Sequence, residues 1–161
     1  MFRDMRRSRQ RLSQEEVEDI LREGKTGVLA VNGDEGYPYA VPMNYVFADG
    51  RIYLHSALSG HKVDAIRADE RVSFCVIGAD DVLPEKYATN YKSVIAFGRA
   101  RFVEDEDEKM SSLRRLGDKY NPGEDEALDK EVASGYSHVC MIAIDIEHVT
   151  GKQGLYLMRS S

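Results

Sequence analysis

The sequence predicts a mainly β domain with flanking helices, built from six antiparallel strands that close into a barrel. Three observations predict it. After an N-terminal helix, the apolar period turns from helical to extended, and the first strands are joined as hairpins. Helical patterns then fall between later strands, but no strand–helix–strand unit repeats regularly, which argues against a parallel doubly wound sheet. Six short strands leave edges that invite mispairing, and closing an antiparallel barrel buries them.

The elements follow in order. Ser13 and Glu16 form a capping box that starts a helix; Val17, Ile20 and Leu21 make its apolar stripe, and Gly24 stops it. Residues 26–31 (TGVLAV) form a strand, and Asn32-Gly33 begins a turn that runs to Gly36. Residues 37–47 (YPYAVPMNYVF) form a second extended segment, in which Pro38 and Pro42 cannot donate to a ladder, so an edge or bulged strand is expected. Ala48-Asp49-Gly50 turns the chain into residues 51–55 (RIYLH), completing a hairpin. A short helix covers residues 61–68, with Val63 and Ile66 on its buried side. Residues 71–77 (RVSFCVI) make an apolar, central strand, and residues 78–90 read as a polar loop. Residues 91–103 form a long strand with a bend or bulge at Gly98. Asp105 caps a helix over residues 106–120, striped by Met110, Leu113 and Leu116, and Asn121-Pro122-Gly123 ends it. An acidic, weakly patterned helix runs to about Ser134, and residues 138–149 (HVCMIAIDIEHV) are the last strand.

Composition bounds the function. The chain has 161 residues, one domain's worth, with 42% hydrophobic and 31% charged residues. No apolar run approaches the ~20 residues that span a bilayer. The start (MFRDMRR) lacks the apolar stretch of a secretory signal. Cys75 and Cys140 lie in apolar runs and read as buried free thiols of a reducing compartment, so a cytoplasmic protein is expected. The net charge of −6 argues against general nucleic-acid binding, which phosphate neutralisation drives. Within residues 1–12, Arg3, Arg6, Arg7, Arg9 and Arg11 make a basic arm: a solvated or subunit-packing tail, or a nucleic-acid or phosphate contact.

The densest polar cluster runs from His55 to Lys62 (HSALSGHK), where a strand gives way to a helix. Free N–H groups at a helix start attract anions; Ser56, Ser59, His61 and Lys62 add donors and charge, and Gly60 lets a ligand approach the backbone. This makes a phosphate cradle, although Ser-rich helix starts are also ordinary caps, and the P-loop spacing is absent. His55 and His61 lack further ligands at metal spacing, so no metal site is expected. A nucleophile elbow and a dinucleotide-binding fingerprint are both missing, so a dinucleotide would be a diffusing partner.

Four spaced motifs in order, GYPYAVPM (36–43), IYLHSA (52–57), GHK (60–62) with Ala65-Ile66, and SVIAFGRA (93–100), resemble the pyridoxamine 5'-phosphate oxidase-like, FMN-binding split-barrel family. The resemblance is strongest to its nitroimidazole-resistance (Nim-type) branch, which the segments around Met5-Arg6-Arg7 and Thr150-Gly151-Lys152 also fit, so it covers nearly the whole chain. It implies a six-stranded split barrel and a homodimer with FMN at the subunit interface. By position, Tyr39, Val41, Pro42, Met43 and Asn44 would run along the flavin, where unpaired backbone at the prolines can meet ligand. His55 and Ser56 would lie beside it. His61 and Lys62 stand where the oxidases place an Arg-Lys pair on the FMN phosphate, and Ser93 where they place a glutamine near the ring. Histidine for arginine loosens a bidentate phosphate grip, and serine for glutamine changes what hydrogen-bonds the flavin. The C-terminal substrate motif of the true oxidases is not evident.

Two functions are expected from these features. The first is an FMN oxidoreductase passing electrons from NADH or NADPH to a small planar acceptor such as a nitro-heterocycle, with His55 as the reactive histidine. The second is a flavin- or haem-binding carrier or sensor without turnover, in which His55 only holds the barrel rim, or His55 or His61 ligates iron. FMN and deazaflavin both remain open as the cofactor.

Overall fold

Residues 1–159 of the computed structural model are described here. Helix α1 spans Gln14–Glu23. Its capping box is complete: the Ser13 hydroxyl accepts from the Glu16 N–H, and the Glu16 carboxylate accepts from the Ser13 N–H at 3.0 Å. Those bonds, the Ser13 backbone one first, hold the Glu16 carboxyl below its ordinary value. Val17 and Leu21 of the stripe are buried.

Seven strands follow: β1 (Gly27–Asn32), β2 (Pro38–Met43), β3 (Val46–Ala48), β4 (Arg51–Ala57), β5 (Arg71–Leu83), β6 (Ala88–Phe102) and β7 (Val139–Gln153). Helix α2 (His61–Ala68) joins β4 to β5, and α3 (Glu106–Tyr120) and α4 (Asp125–Gly135) separate β6 from β7. All pairings are antiparallel, in the order β2-β1-β5-β6-β7-β4-β3.

Two expectations need correction. The strand count is seven rather than six, because residues 37–47 break at Asn44-Tyr45 into β2 and β3, which lie on opposite edges of the sheet. Residues 78–90 are not a loop but the outer part of a long β5–β6 hairpin, paired as far as Leu83↔Ala88. Asp80 and Asp81 suit it because this part of the ladder has exposed sides and no core to face.

The break shapes the molecule. A flat sheet of seven strands would hold its edges about 29 Å apart. The link from Met43 to Val46 reaches only about 10 Å. The sheet must therefore curl until β2 and β3 nearly meet. The result is a barrel split between its edge strands rather than closed by a continuous ladder. Pro38 and Pro42 sit on edge strand β2, where a missing donor does least harm. The bulge expected at Gly98 appears as a register shift between Phe97 and Gly98, and a Cβ there would sit 2.3 Å from the Asp145 carbonyl oxygen. Asp49 and Gly50, both at positive φ, make the tight β3–β4 turn.

The barrel interior is filled by Leu29, Ile52, Leu54, Phe74, Val76, Val94, Ile142 and Ile144, with Leu12, Val17 and Leu21 joining from the N-terminal segment. A second cluster lies outside the barrel, where Tyr53, Met141 and Ala143 meet Leu116 of α3. Charge fastens this helix too. Arg101 grips Glu108 with two nitrogens (2.7 and 3.0 Å) and donates to Asp145 (2.9 Å), which also accepts from Arg51 at 2.6 Å. The Arg101 contact, against partial burial, draws the Glu108 carboxyl down; at Asp145 burial opposes ionisation, but the two arginines outweigh it and the carboxyl again lies low. Among the described residues no helix is long and apolar enough to cross a membrane. Cys75 and Cys140 are free, half-buried rather than buried, and burial raises both thiols.

Candidate functional site

The end of β4 and the start of α2 form the first part of the site. Gly60 takes φ 134°, a conformation side-chain residues rarely adopt, and an added Cβ would meet nothing within 4 Å. The backbone path demands this glycine, and the space above it is open. Val63, Ala65 and Ile66 bury the underside of α2 against the barrel. The starts of α1 and α3 are closed by Ser13 and Asp105, whose side chains accept first-turn N–H groups; α4 has no such side-chain cap, and neither has α2. Its leading N–H groups therefore remain for a ligand. Lys62 is half-buried and has no carboxylate partner among the described residues. His61 is tied back to the β1–β2 turn: its ring stacks on Tyr39 at 4.1 Å, and Nε2 lies 3.8 Å from Asp34. Ser56 is buried beside Cys140, and the thiol, which donates to the Ala57 carbonyl at 3.3 Å, leaves the serine hydroxyl without a well-formed partner.

Strand β2 divides its side chains. Tyr39, Val41 and Met43 turn inward onto the core, whereas Pro38, Ala40 and Pro42 face out. A ligand lying along β2 would meet backbone and Pro42 before the inward side chains. Asn44 is exposed and donates to the Lys25 carbonyl at 2.9 Å. Beside it, the fully buried Tyr45 is held by the end of α3. The Tyr120 hydroxyl accepts from the Tyr45 N–H (3.1 Å) and donates to the Lys25 carbonyl (2.6 Å). The Lys119 ammonium donates to the Tyr45 carbonyl (2.9 Å) and stands 3.9 Å from the Tyr45 ring centre. Burial lowers the Lys119 pKa to about 8. This clamp was not foreseen in the sequence; the Lys-Tyr pair closing α3 is its only trace.

His55 points the other way from Ser56. Ile52 and Leu54 face the barrel core, so alternation turns Tyr53 and His55 outward, toward α3 and α4. The hairpin register Val46↔Tyr53, continued two residues, sets Asn44 opposite His55. Both line a cavity of about 860 Å³ between the strand ends and the two helices. Leu113, Leu116, Leu128 and Val132 supply its apolar walls. His55 is exposed and has no hydrogen-bond partner among the described residues.

The model of a protein family described as pyridoxamine 5'-phosphate oxidase matches residues 13–153. The chain belongs to this family. No curated protein matches the sequence. Solved structures share the fold. A candidate 5-nitroimidazole antibiotic resistance protein from Bacteroides thetaiotaomicron is 22% identical with a TM-score of 0.75, covering 89% of this chain and 86% of that one. The flavocytochrome Anf3 from Azotobacter vinelandii is 23% identical with a TM-score of 0.80, covering 93% and 72%. A FAD-binding protein from Mesorhizobium loti is 25% identical with a TM-score of 0.65, covering 89% and 95%.

In this member of the pyridoxamine 5'-phosphate oxidase family, Ser93 stands apart from the other expected site residues. It lies on β6 beside Ile77 and Lys152, with β5 and β1 between it and β2. The outer face of these strands carries two rows that hold no aspartate, glutamate, lysine or arginine. One runs Pro42, Val28, Cys75, Ile95 and Thr150; the other Ala40, Ala30, Ser73, Phe97 and His148. Ile77, Ile95 and Phe97 are 62%, 41% and 38% exposed on this face, a large apolar area for a free surface. Phe2 of the N-terminal arm stacks on His148 at 4.9 Å, so the arm packs against this face.

Proposed function

We propose that the protein is a homodimeric FMN oxidoreductase of the nitroimidazole-reductase type, passing electrons from a reduced nicotinamide to a small planar acceptor. The observation that carries this reading is the uncapped start of α2. Its free N–H groups, the unpaired Lys62 and the open space at Gly60 fit a phosphate. Bound there, FMN would supply the electron transfer. The chain's own groups do the rest. Lys62 and the α2 backbone hold the phosphate, and His61, fixed by Tyr39, borders it. The open edge of β2 offers backbone to the ring. His55, free of protein partners, holds or passes a proton at Nε2. The exposed apolar area of the outer face supports a dimer, and a second copy would bring its Ser93 toward a flavin on β2, from which this chain's Ser93 is separated by β1 and β5. The similar structures described as a flavocytochrome and a FAD-binding protein support a flavin fold.

Two measurements test the reading. The protein purified without added cofactor should release FMN, identified by mass, and saturating FMN should raise the apoprotein's melting temperature. Anaerobic NADH or NADPH should then bleach the flavin band, and a nitroimidazole should restore it. An unchanged melting temperature overturns the cofactor assignment. The free imidazole of His55 also favours a second reading, a flavin or haem carrier without turnover; a bound flavin that neither nicotinamide reduces, or a haem spectrum, would establish that one instead.

A further inference from the structure

The cavity beside His55 has a charge as well as a shape. Its wall carries two carboxylates, Glu124 and Glu131, and no lysine or arginine. Neither carboxylate is ion-paired among the described residues. The cations of α3 are all engaged elsewhere: Lys109 with the Tyr136 carbonyl, Arg114 with Asp129, Arg115 with Asp49, and Lys119 with Gly24 and Tyr45; Lys130, the one cation of α4, stands next to Glu131 in sequence but does not line the cavity. The cavity therefore has negative charge at its helical wall, leucine and valine in its body, and the His55 imidazole on its floor.

Its wall is built to stay in place. Leu128 of α4 drops into a notch left by Gly117 of α3, where an added Cβ would lie 2.2 Å from Leu128 Cδ1. Val132 is buried. The Tyr136 hydroxyl, just beyond α4, bonds the Glu106 carboxylate. The volume, about 860 Å³, lies within the range of small-molecule sites and exceeds the needs of a one- or two-ring compound.

We propose that this cavity is the acceptor's binding site and that it selects flat heteroaromatic monocations over anions, with Glu124 and Glu131 as the specificity-determining residues. The apolar walls take the rings, the two carboxylates take the positive charge, and anionic or phosphorylated compounds are repelled. The acceptor's role rests on the oxidoreductase reading above; the binding preference does not.

The test uses the protein as purified, with whatever cofactor it carries, and three bicyclic probes at pH 7.5: 1-methylquinolinium as cation, quinoline as neutral ring, and quinoline-4-carboxylate as anion. Calorimetry should rank them in that order. The double variant Glu124→Gln/Glu131→Gln should weaken the cation by about tenfold, as two partly exposed charge pairs would, and leave quinoline within about twofold. Ala127→Trp, at an exposed wall position, should block all three probes while the melting temperature holds. Equal affinities for cation and anion, an unchanged rank in the double variant, or full binding to a folded Ala127→Trp protein would each overturn the proposal. If the charge preference holds but no nicotinamide-driven reduction occurs, the oxidoreductase reading fails and the cationic site stands.

Discussion

The start of α2 and the wall formed by α3 and α4 both adjoin the end of β4, and they are opposites. The α2 side has a helix start without a side-chain cap and Lys62 without a carboxylate partner among the described residues, and the space at Gly60 is open. The α3–α4 side offers Glu124 and Glu131 over leucine and valine, and its own helices close it. One strand serves both because its side chains alternate: Ser56 turns inward toward Cys140, His55 outward under the helices. A single residue step thus separates a place suited to an anion from a place suited to a cation. The difference also explains why the two were unequally visible in the sequence.

The largest expected effect comes from breaking the link between the two regions. His55→Ala should lower turnover by about 10²–10⁴-fold if the imidazole passes a proton, while FMN occupancy is kept. Occupancy and turnover measured on one preparation decide it; lost cofactor with normal activity in the loaded remainder would make His55 structural. Breaking only the anionic side should cost less. Lys62→Ala should weaken FMN by roughly ten- to a hundredfold, the worth of a charge-assisted hydrogen bond, and should spare riboflavin, which has no phosphate. Equal losses for both ligands would move Lys62 out of the cradle.

The smallest effect concerns how the helical wall is held. Asp145 and Glu108 both have folded-state pKa values below their ordinary ones, so their pairing with Arg101 and Arg51 adds stability above the unfolded carboxylate range, near pH ~4, and loses it as pH falls through the lower folded values. These groups are partly exposed, and screening reduces the gain to about 1 kcal/mol or less. These carboxylates leave melting temperature unchanged between pH ~7 and ~6 and lower it below pH ~4, and Arg101→Met should shrink that fall. An equally steep acid limb in the variant would mean that other carboxylates fasten α3.

Local signals were legible. The Ser13/Glu16 and Asp105 caps, the span of α2 and the bulge at Gly98 are each written within a few residues, and the structure has them where the sequence places them. The break at Asn44-Tyr45 was not, because strand-forming residues run up to it and resume directly after a lone Asn44, and no glycine marks it. What holds it open is remote: Lys119 and Tyr120 take hydrogen bonds that a neighbouring strand would otherwise make. The cavity was hidden for the same reason. Its outer wall is α4, whose acidic, weakly patterned sequence reads as a solvated helix until Leu128 is seen seated on Gly117. His55 and Lys62 could be singled out because they sit at a strand–helix junction; the residues that give His55 its surroundings are far along the chain.

The break at Asn44-Tyr45 also bears on how the chain is made. It sends β3 and β4 to the far edge of the sheet, where β4 must wait for β7; Arg51 and its partner Asp145 are 94 residues apart. While the ribosome makes the middle of the protein, β1, β2, β5 and β6 can already assemble, but the β3–β4 hairpin has only its own two strands, too few to be stable alone. Its flank and that of β6 stay open until the last strand emerges and bonds to both. A chain that stalls or is clipped before residue 139 would therefore present two raw strand edges, and the newborn protein is most exposed to sticking to its neighbours just before its final strand arrives.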